Sequence, residues 1–369
     1  MTIYIIIALC LLSFALLSEY GYFKNSRTAK AAFLAAGSLI LFFVSAFRYD
    51  VGDDFRPYTN NFIRLARMTN AELATERMEK GYVFLNRYIQ LFVNDFQMLF
   101  IMISLIVILL VFAVLLKYCK NPSMGLLIFY LYGLYFNSMN FMRNVIAGLI
   151  IVFAYQYIKE KNLMKFAVIV LLASTFHISA LVFLPFYFIF RLKFNYITVI
   201  IYSIFCGSLF IFSQPIMEFI TTYVYTSYGP LTSREMFNGI PVIYSLCSLT
   251  FLVCGMLLRK DLEKDSDMTP VLLSAAYMKF YFGFLGSKHA ILSRFSLYFG
   301  PVMSLILIPN IIRVSYSNIK NKSDKIIMYT VRSWFCLIGT CAGIIVFFVY
   351  ALATNYNKII PHEWIWNVI

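Results

Sequence analysis

A chain of 369 residues that is 61% apolar and only 13% charged departs from soluble domains, which average about 45–50% apolar and about 25% charged. Its net charge of +14 would suit a nucleic acid, but the Lys and Arg residues cluster at the ends of apolar runs, where they set membrane topology. Composition therefore excludes a soluble enzyme and a nucleic-acid binder. It leaves an all-α, polytopic membrane protein, 1–369 forming a single transmembrane domain embedded in a lipid bilayer.

A membrane-crossing helix needs about 20 apolar residues, and such runs follow one another along the chain. The first two cover 3–18 and 31–47. The first lacks a basic flank and a small-residue cleavage pattern, so it reads as a retained helix rather than a signal peptide. A long polar stretch, 48–95, follows, opening on Arg48-Tyr-Asp-Val-Gly-Asp-Asp-Phe-Arg-Pro-Tyr58. Gly52 permits a tight turn that would fold the acids back toward Arg48. The acids then either pair among themselves as a solvated loop start or, through Asp50, Asp53 and Asp54, cradle a divalent ion; no zinc-type spacing is present, and the preferred reading has no metal. Arg64 to Asn86 alternates charge with apolar residues at helical spacing, giving either an interfacial helix or a solvated surface helix.

Further runs occupy 97–116, 122–137, 142–158, 196–213, 241–258, 270–287, 296–312 and 327–349, with 214–240 as a second polar loop. The stretch 166–190 is too long for one ordinary span and too short for two full ones. As one helix it would put Arg259, Lys260 and Lys264 outside, against the positive-inside rule; as a short or broken hairpin it keeps them cytoplasmic. About twelve segments result, with both termini outside. The cytoplasmic ends then hold more than twice as many basic as acidic residues, and the outer side is near parity. Broken segments are tolerated in lipid only where protein or water satisfies the freed backbone, so they tend to line sites.

The unusual chemistry gathers on the expected outer side. Arg143 sits at the turn between two apolar runs, and Arg294 repeats the situation with Lys288 and His289 just before it. Converging Arg side chains suit a diphosphate; snorkelling to lipid phosphate is the open alternative. His177 lies at the tip of the short hairpin, where it is either a packed core residue or a base able to take a proton from a sugar hydroxyl. His289 and His362 are weaker candidates. Only Lys279 and Arg332 fall inside apolar segments. A transporter or flippase of lipid-linked oligosaccharide is the rival class, but it would carry charge deep in several segments.

Four motifs in order resemble the EpsG family of bacterial polysaccharide polymerases, relatives of the Wzy O-antigen and capsule polymerases. They are Arg48-x3-Gly52-x-Asp54-x3-Tyr58, Met142-Arg143-x2-Ile146-Ala147, Thr175-Phe-His177-Ile-Ser-Ala-Leu181 with Pro185, and Ser293-Arg294-x3-Tyr298. Two positions depart from the family pattern: Asn144, where Gln is common, and His362, where an aromatic usually follows the proline. The resemblance implies a glycosyltransferase of GT-C-like architecture in the bacterial inner membrane. It implies inverting, metal- and cofactor-independent transfer of a polyprenyl-diphosphate-linked glycan onto a lipid-linked repeat unit at the outer face. It assigns Arg48, Arg143, Arg294, Tyr58 and Tyr298 to diphosphate and glycan binding, His177 to the base and Asp54 to the alternative base. A chain-length regulator and a flippase are the partners it suggests.

Overall fold

The computed structural model describes residues 1–219, 240–288, 290–320 and 327–367, and among these the chain is a helical bundle. Five helices are long and apolar enough to cross a membrane: Thr2–Tyr20, Arg27–Ala46, Phe96–Tyr118, Gly300–Lys320 and Met328–Ala353. A sixth arises if Val242–Leu257 and Arg259–Asp265, bent by 75° against each other, count as one. These helices show that the protein is a multi-pass membrane protein. Shorter apolar helices at Pro122–Leu131, Leu163–Ser174, Ile178–Ile189 and Tyr196–Ile211 complete the bundle.

The expected runs differ in continuity. Run 122–137 breaks at Gly133, whose φ of +75° no β-carbon tolerates cheaply, and restarts as Leu134–Asn140. Run 142–158 divides into Met142–Val152 and Tyr155–Lys159. In the hairpin stretch, Leu163–Ser174 ends where the hydroxyls of Ser174 and Thr175 donate back to Leu171 O and Leu172 O, each at 2.7 Å, competing with continued helix. A short 3-10 turn, Ile178–Phe183, and Phe186–Ile189 return beside it. Phe166 packs on Phe183 and Tyr187 at centroid distances of 5.9 and 5.2 Å, which fixes the two arms as antiparallel.

Burial separates centre from rim. The segments between Pro122 and Val152 are almost wholly buried, and 72% of the hydrophobic window in Gly300–Lys320 is buried against 33% in Thr2–Tyr20 and Met328–Ala353. The rim helices turn apolar side chains such as Leu9, Leu109, Ile338 and Val346 outward, as lipid requires.

Phe96–Tyr118 spans 23 residues, about 34 Å at 1.5 Å per residue, and separates two polar ends. One end holds cross-helix ion pairs: Lys30–Glu19 at 3.0 Å, Lys120–Asp265 at 2.5 Å, Arg313–Asp265, and Arg332–Asp261 at 3.0 Å. Arg332 is thus neutralised rather than left bare in the apolar segment. The other end carries the long polar stretch. Its Arg64–Asn86 portion is not one helix: it is shared among Phe55–Arg67, Asn70–Thr75 and Lys80–Gln90. The break has a local cause, a reciprocal capping box between Thr69 and Glu72 that starts a new helix. The first and last helices bury Phe62, Leu65, Tyr82, Val83 and Ile89 between themselves and the bundle.

The tail closes over this end. Tyr49 N donates to Glu363 O at 2.9 Å, Ile365 N to Phe47 O at 3.0 Å and Gly52 N to Lys358 O at 3.0 Å. Most of the 214–240 loop, from 220 to 239, and His289 lie outside the described residues.

Candidate functional site

Glu79, which no pattern in the sequence singles out, is the hub of the polar end. It occupies the N-cap position of Lys80–Gln90, yet its carboxylate makes no cap bond to that helix. It reaches the hairpin tip instead, accepting from His177 Nδ1 at 3.0 Å and from Ile178 N at 3.2 Å on Oε1. Its Oε2 pairs with Arg143 Nη1. Gly81 N donates to Thr175 O at 2.8 Å, and a β-carbon at Gly81 would come within 2.7 Å of that oxygen. The glycine lets the loop helix seat directly against the hairpin break. Three segments distant in sequence thus meet at one carboxylate.

Burial raises the Glu79 pKa, but the His177 hydrogen bond and the Arg143 charge outweigh it and hold the group down at about 2. Glu79 is therefore ionised and can only accept, so Nδ1 of His177 is the donor of this bond. Arg143 is enclosed by aromatic faces, Tyr82 at 5.1 Å and Tyr58 at 5.9 Å from the guanidinium. The buried Nε of Arg143 has no hydrogen-bond partner.

Asp54 stands at the N-terminus of Phe55–Arg67 without capping it. Burial pushes its carboxyl above the usual range, and the charges of Arg294 and Arg143 pull it partly back. Arg294 opens the 3-10 turn Arg294–Tyr298 and sits over the Phe141 ring at 5.7 Å. Tyr298 ties this turn to the hairpin through Ser179 Oγ at 2.6 Å, two residues beyond His177. Asn144 Nδ2 donates to Arg294 O at 3.5 Å, which gives the residue at this departure from the family pattern a place beside the site.

Two sequence candidates are placed differently. Arg48 is 1% exposed; Nη1 donates to Ser45 O at 2.7 Å, Nη2 to Met139 O at 2.9 Å, and the guanidinium lies over Phe100 at 5.0 Å. Nη1 and Nη2 are directed at backbone carbonyls, and the acids on either side of Gly52 do not fold back onto it: Asp50 takes Arg56 at 2.6 Å and Asp53 takes Lys358 at 2.6 Å. Among the described residues no group of three His, Cys, Asp or Glu side chains gathers as a metal site requires. His362 bonds the Tyr4 hydroxyl through Nδ1 at 2.8 Å; burial first, and then the charge of Arg48, lower its pKa to about 4. It belongs to the tail's anchorage beside Arg48.

The fold and the site define a class: a multi-pass helical membrane protein with an Arg–carboxylate–His cluster at one polar end. The family model of the EpsG family matches residues 31–364, nearly the whole chain. The protein belongs to the EpsG family, a Wzy-like polymerase family. No curated protein and no solved structure matches it.

Proposed function

We propose that this chain is a polysaccharide polymerase that transfers a polyprenyl-diphosphate-linked glycan onto a lipid-linked repeat unit at the outer face of the bacterial inner membrane. The observation that carries the reading is the Glu79 bridge between Arg143 and His177. In the reaction we infer, the acceptor hydroxyl loses its proton to His177 Nε2 as its oxygen attacks the anomeric carbon of the donor. The bond from that carbon to the diphosphate breaks, and the polyprenyl diphosphate leaves with the electron pair. Inversion follows from this single displacement. Glu79 fixes the tautomer and stabilises the imidazolium, and Arg143 and Arg294 meet the charge that develops on the leaving diphosphate. Asp54, whose carboxyl feels the charge of both arginines, is the alternative base or an orienter of the acceptor.

Twelve traversals are our reading of the bundle, counting each broken pair as one passage, in a GT-C-like arrangement with the Glu79 end outward. The polar stretch 48–95 is then a periplasmic loop. Basic loops such as 117–120 and 159–165 support this orientation. The test is complementation of a polymerase-null strain: the wild-type chain restores long glycans, and His177→Ala, Arg143→Ala and Arg294→Ala variants at equal abundance leave single lipid-linked repeat units to accumulate. Long chains from all three variants would reject the site. Orientation has its own readout, since Arg56→Cys should react with a membrane-impermeant thiol reagent in intact spheroplasts and Lys161→Cys should not.

A further inference from the structure

The helix Lys80–Gln90 is turned the opposite way from a helix in a water-filled loop. Its polar side chains point inward: Gln90 Nε2 donates to Phe62 O at 2.7 Å and Arg87 Nη1 to Leu65 O at 3.4 Å, so both serve the last turns of Phe55–Arg67, and Asn86 is fully buried. Its outward face is aromatic. Phe84, Tyr88 and Phe92 follow one another at helical spacing with ring centroids 6.0 and 5.3 Å apart, and Phe84, Leu91 and Phe92 are 69%, 76% and 73% exposed. Phe55–Arg67, by contrast, exposes Arg56, Asn60, Arg64 and Arg67. A contiguous exposed apolar patch marks a contact with lipid or with another protein.

The place of this patch in the fold points to lipid. Phe92 stands just before Asp95, whose carboxylate accepts from Gln97 N at 2.9 Å and caps the spanning helix Phe96–Tyr118. Gln97 Nε2 in turn donates to Ala46 O at 2.6 Å, at the end of the spanning helix Arg27–Ala46. Two membrane-crossing helices thus end at one level, and the aromatic face runs into that level. A second aromatic group lies there: Phe43, in the last turn of Arg27–Ala46, stacks on Phe47 at 5.7 Å, and Phe47 meets Trp366 at 6.0 Å. Phe43 and Trp366 are exposed as well. Aromatic side chains with one apolar side collect in belts at the boundary between hydrocarbon and headgroups. Because the outward apolar positions recur along the whole of Lys80–Gln90 rather than at one tip, they lay the helix along the surface.

We propose that the outward face of Lys80–Gln90, continued by Leu91 and Phe92, docks on phospholipid, so that this helix lies in the interface of the leaflet on the Glu79 side. The docking sets the depth of the cluster described above. Glu79 immediately precedes the helix, and a helix lying in the surface holds it at its own depth. Interfacial helices bury their apolar face about 5–10 Å into the headgroup and acyl boundary, which places the Arg143–Glu79–His177 bridge among the headgroups, where lipid phosphates lie. The docking does not depend on which reaction the cluster performs.

The experiment uses the photoreactive analogue benzoylphenylalanine in place of Phe84, Phe92, Leu109 or Arg56, one position at a time, in the full chain reconstituted into vesicles of phosphatidylethanolamine and phosphatidylglycerol, with adducts identified by mass spectrometry. Leu109, on the outward side of Phe96–Tyr118, sets the yield for a lipid-facing residue, and the exposed Arg56 sets the yield for water. Phospholipid adducts at Phe84 and Phe92 should come within about threefold of those at Leu109 and exceed those at Arg56 at least about tenfold. Yields no higher than at Arg56 overturn the proposal. Crosslinking chiefly to a second copy of the chain also overturns it and would make the face a subunit interface. Tyr88 supplies the same comparison if either analogue-bearing chain does not fold. Lipid adducts at these positions in a chain that restores no polymer to the null strain would reject the polymerase reading and leave the docking standing.

Discussion

The two polar ends of the bundle solve the same problem with different consequences. Asp265, opposite the site, takes Lys120 and Arg313, and Asp261 takes Arg332 and Lys264. These carboxylates bind cations from several segments and hold them together. Glu79 also holds two segments, but it divides its oxygens between a permanently charged guanidinium and a titratable imidazole. An Arg–carboxylate pair alone therefore does not mark a site. What sets the Glu79 end apart is the imidazole held by the same carboxylate as an arginine; a buried Nε without a partner does not, since Arg313 and Arg332 share it with Arg143.

The largest expected effect is on chemistry. His177→Ala should reduce glycan transfer about 100-fold or more, the usual contribution of a positioned general base, with the folded protein at wild-type abundance; assay of purified variants on lipid-linked repeat units checks this. Next comes Glu79→Ala, which strands the Arg143 charge and should cost about 3 kcal/mol of stability, measured by thermal or denaturant unfolding in detergent, along with activity. Asp265→Asn should lower thermal stability while leaving the rate per folded molecule unchanged, because its partners are structural.

A smaller, pH-dependent effect sharpens the contrast. The Glu79 pKa is depressed from 4.5 to about 2, so its ion-pair stabilisation is complete above pH 4.5 and fades as pH falls toward 2. The stability gap between wild type and Glu79→Gln should stay constant from pH 7 to about 5 and close below pH 4.5. The smallest effect belongs to Arg56→Ala: the Arg56–Asp50 pair is solvent-exposed on the arginine side, and its removal should change neither activity nor unfolding detectably.

Much of the frame was legible because lipid imposes simple rules. Apolar runs and basic clusters located the helices, and the length of 166–190 required the break that the structure places at Thr175–His177. Proximity of His177, Arg143 and Arg294 followed from putting three turns on one side. Glu79 was not legible: it stands in a charge-rich stretch with Glu72, Glu76, Arg77 and Lys80, and only pairing with residues 64 and 98 positions away distinguishes it. The Thr69–Glu72 capping box was readable and splits the expected interfacial helix. Arg48 shows the opposite limit, since a conspicuous charge in a motif is directed at backbone carbonyls that no spacing reveals.

Glu79 and Asp265 differ in what they hold, and one side-by-side rate measurement tests whether that difference is functional. Purified Glu79→Gln and Asp265→Asn proteins, matched for folded amount, are compared with wild type in transfer between lipid-linked repeat units. The expected result is a loss of at least about tenfold in kcat for Glu79→Gln, whose carboxamide cannot stabilise the imidazolium, and an unchanged kcat for Asp265→Asn. A wild-type rate from Glu79→Gln, or an equal loss from Asp265→Asn, would contradict it.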